Sequence, residues 1–136
     1  MPPIQEPLPM PMVLTLQRGR IALTMTGVAM GKDLAVTLAG GDQAHIGAVA
    51  VSQARPSHLR GGGTSATTSV ITVPGHKEDD LARAIGARLA ARLDAVVCVA
   101  CGIHMDNLAQ GELADIQAMA EALTAELAAR LGVEPI

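Results

Sequence analysis

The spacing of apolar residues changes character once along this 136-residue chain, and that change constrains the fold more than any other feature. Up to Val73, large apolar side chains alternate with small or polar ones, the pattern of strands with one buried face. Segments 13–16 and 21–26 flank Arg18-Gly19-Arg20, which reads as a hairpin turn. Within the second, Ile21, Leu23 and Met25 alternate against Ala22, Thr24 and Thr26. A turn at Gly31-Lys32-Asp33 leads into segment 34–39, and Gly40-Gly41-Asp42-Gln43 supplies the next turn. Segments 46–51 and 65–73 read as the fourth and fifth strands. The polar, glycine-rich stretch 55–63 between them reads as a surface loop.

Beyond that point the period becomes helical. Leu81, Ala84, Ile85, Leu89 and Leu93 recur on one stripe, with Arg83 and Arg92 turned outwards. Glu78, Asp79 and Asp80 fall in the first turn, where the helix dipole favours negative charge. The valine-rich run 95–101 is too short for a helix and ends in Gly102, which marks a sixth strand. Leu113, Ile116, Ala120, Leu123, Leu127 and Leu131 define a last helix, with Asn107 and Gln110 as its expected capping box.

This order predicts an α+β, two-layer fold. Its sheet is a mostly antiparallel meander with one parallel β-α-β crossover, and both C-terminal helices cover one face. The other face would present Ala22, Thr24, Thr26, Ala35, Thr37 and Ala39, either as a subunit interface or as a solvated threonine-rich surface. Residues 1–12 read as a flexible proline-rich arm, and residues 13–136 as a single domain.

Composition excludes several classes of function. The chain has no Phe, Trp or Tyr, so its core is aliphatic and no ligand ring can stack on an aromatic side chain. A net charge of −3 with dispersed signs offers no footprint for nucleic acid and no polybasic membrane patch. The N-terminus lacks the basic and apolar regions of a secretory signal. The longest apolar run, 95–103, is about half of what a spanning helix needs. A soluble cytoplasmic protein is the expectation. Cys98 and Cys101 have redox-motif spacing, but residues three apart on a strand face opposite ways, so they read as small buried side chains.

The candidate site follows from the topology. If the fifth and sixth strands are parallel neighbours, their ends lie about 5 Å apart. His76 follows one in Pro74-Gly75-His76-Lys77-Glu78-Asp79, and His104 follows the other in Gly102-Ile103-His104-Met105-Asp106-Asn107. The fourth strand, running the other way, starts at His45 beside them. His45, His76 and His104 thus converge with Asp42, Glu78 and Asp106, while His58 lies at the far end. Imidazoles with carboxylates suit a divalent metal or acid–base chemistry. Two helix starts, near Gly75 and Asn107, with Lys77 close by, suit a phosphate. There is no nucleophile elbow, P-loop or Rossmann fingerprint.

Four motifs in order carry a family resemblance. They are Gly40-Gly41-Asp42 with His45-Ile46-Gly47-Ala48-Val49-Ala50, then Arg55-Pro56-Ser57, then Gly75-His76-Lys77-Glu78-Asp79, then Gly102 to Asn107. Together the chain resembles the small subunit-D proteins of gallate-decarboxylase systems, the LpdD-like prenylated-flavin chaperones. The resemblance implies a fold similar to proteasome-assembly-chaperone domains. It implies handling of prenylated FMN for a UbiD-like decarboxylase, with no catalytic residue of its own. On this reading His45, Lys77 and Asn107 contact the flavin, and His76, Glu78, His104 and Asp106 hold a divalent metal. A homo-oligomer is expected. Two other readings stay open: a small metal-dependent enzyme using His76 and His104, and an interaction protein that binds through its sheet face.

Overall fold

Alternation in the first half produces strands that turn most of their larger apolar side chains to one side. The computed structural model describes residues 9–73 and 78–132. In chain order it contains β1 (Met12–Arg18), β2 (Ile21–Met30), β3 (Asp33–Gly41), β4 (Gln43–Pro56), β5 (Thr64–Thr72), α1 (Asp79–Leu93), β6 (Val96–His104) and α2 (Glu112–Arg130). Ile21, Leu23 and Met25 of β2, Leu34, Val36 and Leu38 of β3, and Val97 and Val99 of β6 are all buried beneath the helices. Burying each such side chain stabilises the fold by about 1.5–3 kcal/mol. This is the expected α+β architecture: a six-stranded sheet with one covered face.

The strand order is β1-β2-β3-β6-β4-β5. The meander holds for β1 to β3 and for the β4–β5 hairpin, which are antiparallel. It breaks between β3 and β4, where β6 inserts, parallel to β3 and antiparallel to β4. The expectation that the fifth and sixth strands are neighbours is therefore corrected. They run in the same direction, but β4 lies between them, so their ends are about 10 Å apart. The physical reason lies in the β3–β4 connection. Gly41 and Gln43 both pair with His104, so the chain arches over the end of β6 at Asp42 instead of folding back as a hairpin. The Asp42 N–H donates to the His104 carbonyl across that arch at 2.7 Å.

Both helices lie on the buried side of the sheet, α1 over β4, β5 and β6 and α2 over β1 and β2. The stripe α1 buries keeps Ile85 and Leu89 of the one expected and is otherwise rotated towards smaller residues. Ala82, Ile85, Gly86, Leu89 and Ala90 face the sheet. A methyl group at Gly86 would lie 2.6 Å from Ser52 Oγ, so this small ridge lets the helix come close. Leu81 and Ala84 are left beside the sheet-facing stripe. The expected capping box of α2 is not formed. Helix α2 starts at Glu112 after Gly111, and Asn107 adopts a left-handed conformation, φ 50°, in the loop before it. Glu112 instead caps backward, accepting the Ala109 N–H at 2.7 Å.

Cys98 and Cys101 are free thiols, Cys101 in the core and Cys98 only partly covered, as alternation requires. Burial, with the Glu78 carboxylate adding to it, pushes the Cys101 thiol up to about 12, so it stays protonated and inert. No helix among the described residues is long and apolar enough to cross a membrane.

Candidate functional site

The ends of β3 and β6 and the starts of β2, β4 and α1 meet at one edge of the sheet. Four of the residues singled out from the sequence sort there into two imidazole–carboxylate pairs. His45 Nε2 lies 3.0 Å from Glu78 Oε1, with both side chains largely covered. His104 Nε2 lies 2.9 Å from Asp106 Oδ1, with both exposed. His76 and Lys77 fall outside the described residues.

Two glycines let the inner pair form. The His45 carbonyl presses against the α-carbon of Gly102, where a side chain would collide with it. The Glu78 carboxylate packs closely on Gly47 in the same way. Between these contacts the β4–β6 ladder carries an irregularity, from Ala44 to Ala48, that re-aims the strand at His45. His45 Nδ1 lies 3.3 Å from the Gln43 carbonyl, which orients the ring. Glu78 Oε1 also receives the Ile103 N–H, at 3.4 Å. Glu78 Oε2 is buried and has no hydrogen-bond partner among the described residues.

The outer pair belongs to a different surface. Ile103 and Met105 line the helix side, so alternation turns His104 the other way. Its loop is held by Arg20, which in the sequence reads only as part of a turn. Arg20 donates through Nε and Nη2 to both oxygens of Glu112, at 2.9 and 2.7 Å. Nη2 also reaches the carbonyls of Asp106 and Asn107, at 2.9 and 3.2 Å. Asp42 completes the clamp, accepting the Asp106 N–H at 2.8 Å and standing 3.6 Å from Arg20 Nη1. The hydrogen bond from Arg20 holds the Glu112 carboxyl down at about 2, helped by the Ala109 N–H. The segment after β6 is thus a clamped loop whose carbonyls face a guanidinium, not the free helix start expected near Asn107. Nothing local to Arg20 in the sequence announces partners 86 to 92 residues away.

Above the inner pair, between α1 and α2, opens a cleft of about 600 Å³. Glu78, Ile103 and Met105 lie on its walls, with Leu81 and Ala84 from α1 and Leu113 from the start of α2. Among the described residues no group of three or more His, Cys, Asp or Glu is arranged to hold a metal.

An open sheet carrying two helices on one face, with the strand β6 inserted across an arch, defines a known architecture. A similar arrangement occurs in the crystal structure of a chaperone complex for yeast 20S proteasome assembly, with a TM-score of 0.57 over 89% of this chain and 96% of that chain at 11% identity. That likeness concerns the fold alone. A comparison with curated proteins gives no match. The sequence itself matches the prenylated flavin chaperone LpdD-like domain over residues 17–132, and the chain belongs to that family. The family is one of chaperones rather than catalytic enzymes, and its name indicates the handling of prenylated flavin.

Proposed function

We propose that this protein binds prenylated FMN at the sheet edge described above and delivers it to, or protects it for, a UbiD-like decarboxylase. The observation that carries the reading is family membership across residues 17–132, which span both histidine–carboxylate pairs. His45, Lys77 and Asn107 are the residues we assign to the flavin, with Lys77 as the phosphate counter-charge.

The donor set at His104 and Asp106 fits part of a divalent metal site. Nitrogen and oxygen ligands held about 2.1 Å from one ion stand about 3 Å apart, as these two atoms do at 2.9 Å. We assign the ion to this outer pair with His76 as the third group. Glu78, engaged with His45, would then act from the inner side. A bound divalent ion would supply positive charge to flavin or phosphate oxygens.

The uncovered sheet face supports a homo-oligomer. Thr24, Thr26, Thr37 and Ala39 share it with the exposed Val13, Val28, Val51 and Ile71, and none of these carries charge.

Anaerobic titration of the purified protein with reduced prenylated FMN and with FMN tests the reading, because a chain without Trp or Tyr leaves the flavin bands unobscured. Tighter binding of the prenylated form is expected. His104→Ala should reduce retained divalent metal in elemental analysis while leaving the fold unchanged, since its side chain is exposed. Binding of neither flavin, with metal supplied, would overturn the assignment.

A further inference from the structure

Residues 106–111, between the end of β6 and the start of α2, are all exposed. Exposed connections of this kind are normally the mobile part of a fold. Here, however, the backbone of Asp106 is held on both sides. Its N–H donates to Asp42 Oδ2 at 2.8 Å, and its carbonyl accepts from Arg20 Nη2 at 2.9 Å. Each anchor is itself tied down. The Asp42 N–H donates to the His104 carbonyl at 2.7 Å, and Arg20 donates to both oxygens of Glu112. The Asp106 carboxylate, by contrast, is 69% exposed and meets His104 Nε2 at 2.9 Å. An exposed pair gains little from its own contact and does not hold itself together. What keeps the carboxylate beside the imidazole is the backbone under it.

We propose that Arg20 is the positioning residue of the outer pair: by fixing the backbone of Asp106 it holds the carboxylate against His104 before any ligand arrives. The proposal rests on the reading that the outer pair takes part in holding a divalent ion, and adds the residue that preorganises it. Arg20 bonds to neither the imidazole nor the Asp106 carboxylate, so it acts through the loop. Its planar fork is what the task requires. Nε and Nη2 engage one carboxylate side by side, and Nη2 still reaches the carbonyls of Asp106 and Asn107. A lysine ammonium has no such fork. In the neutral ring only one nitrogen carries a proton, and a carboxylate accepting from Nε2 selects the tautomer protonated there. That proton is the one a divalent ion would replace. A loop ordered beforehand spares the ion the cost of ordering it, which makes binding tighter.

The test uses two readouts on wild-type protein, Arg20→Ala, Arg20→Lys and Arg18→Ala. The first is imidazole nitrogen NMR of metal-free, histidine-labelled protein at mildly alkaline pH, with the His104 signals assigned by their loss in His104→Ala. The second is a cobalt(II) titration followed by visible absorption. Arg18→Ala is the control, because it removes another β1–α2 contact, Arg18 with Asp115 at 3.5 Å, without touching Asp106. In wild-type protein His104 should show one tautomer, protonated at Nε2. In Arg20→Ala its two nitrogens should move towards a common, averaged shift, while His45 and His58 keep theirs. Cobalt(II) should bind at least tenfold more weakly, and Arg18→Ala should match wild type in both readouts. A role in stability alone would leave the His104 shifts of the folded protein unchanged. Wild-type His104 shifts in Arg20→Ala, or averaged shifts already in wild type, would overturn the proposal. Changed shifts with no cobalt(II) bound by wild type, or with cobalt(II) affinity unaltered, would uphold the positioning and remove the ion from the outer pair. Should Arg20→Ala fail to fold, Arg20→Lys, which keeps the charge and loses the fork, is expected to average the His104 shifts in the same way, and its failure to do so would overturn the proposal.

Discussion

Gly102 and Gly47 make the inner half of the site possible. At Gly102 an added methyl meets the His45 carbonyl, which is backbone and cannot swing away. Gly102→Ala should therefore lower stability by about 1–3 kcal/mol, read as a lower urea midpoint at unchanged slope. At Gly47 the obstacle is the end of a flexible side chain, so Gly47→Ala should cost less but displace Glu78 from His45. Arg20 gives a prediction with a pH signature. The Glu112 carboxyl is held below its ordinary 4.5, at about 2, in the folded protein. Its contribution is thus fully present above pH 4.5 and is lost as pH falls from there towards about 2. Thermal melts of Arg20→Ala should show a deficit at neutral pH that shrinks through this window. An equal deficit at both ends would contradict the clamp. The histidines and carboxylates were legible in the sequence as residues, because their types and positions after strands are local facts. Their pairing was not, because His45 meets Glu78 through a strand irregularity and two close glycine contacts that only the folded chain brings together.

At the level of elements, alternation and helical spacing identify every strand and helix, because each buries one face. The neighbours of β6 were hidden for a different reason. A strand that arrives late in the chain can insert wherever a connection arches over its end, and Gly40-Gly41-Asp42 reads in sequence as an ordinary turn. The start of α2 differs from the one expected because Asn107 resembles a cap but takes a left-handed turn conformation. For α1, Ile85 and Leu89 of the expected stripe face the sheet, but Ala82, Gly86 and Ala90 join them there in place of Leu81, Ala84 and Leu93. This last difference is testable. An exposed helical glycine gains about 1 kcal/mol on substitution by alanine. Gly86→Ala should instead lose stability, because its methyl group meets Ser52 Oγ, itself bonded to Thr68 Oγ1 at 2.8 Å. Combining it with Ser52→Ala should recover part of the loss. Additive destabilisation in the double variant would argue against the contact.

For the whole molecule, the two faces of the sheet divide the work. The covered face carries the core and, at its edge, the cleft with Glu78; the open face is uncharged across its centre and suits a second copy of the chain. Thr37→Arg would bury an unpaired charge in such an interface and should yield monomers in sedimentation. A wild-type monomer would exclude the interface. Carriage of a prenylated flavin, rather than action on a substrate, is the role we propose for the chain. Its most direct test is transfer: protein loaded anaerobically with reduced prenylated FMN is mixed with a UbiD-like apo-decarboxylase, and both flavin distribution and decarboxylase activity are followed. The expected result is that the flavin moves to the enzyme and that activity appears faster or survives air longer than with free cofactor. A loaded chain that gives no advantage over free prenylated FMN, in either rate or survival, would contradict it.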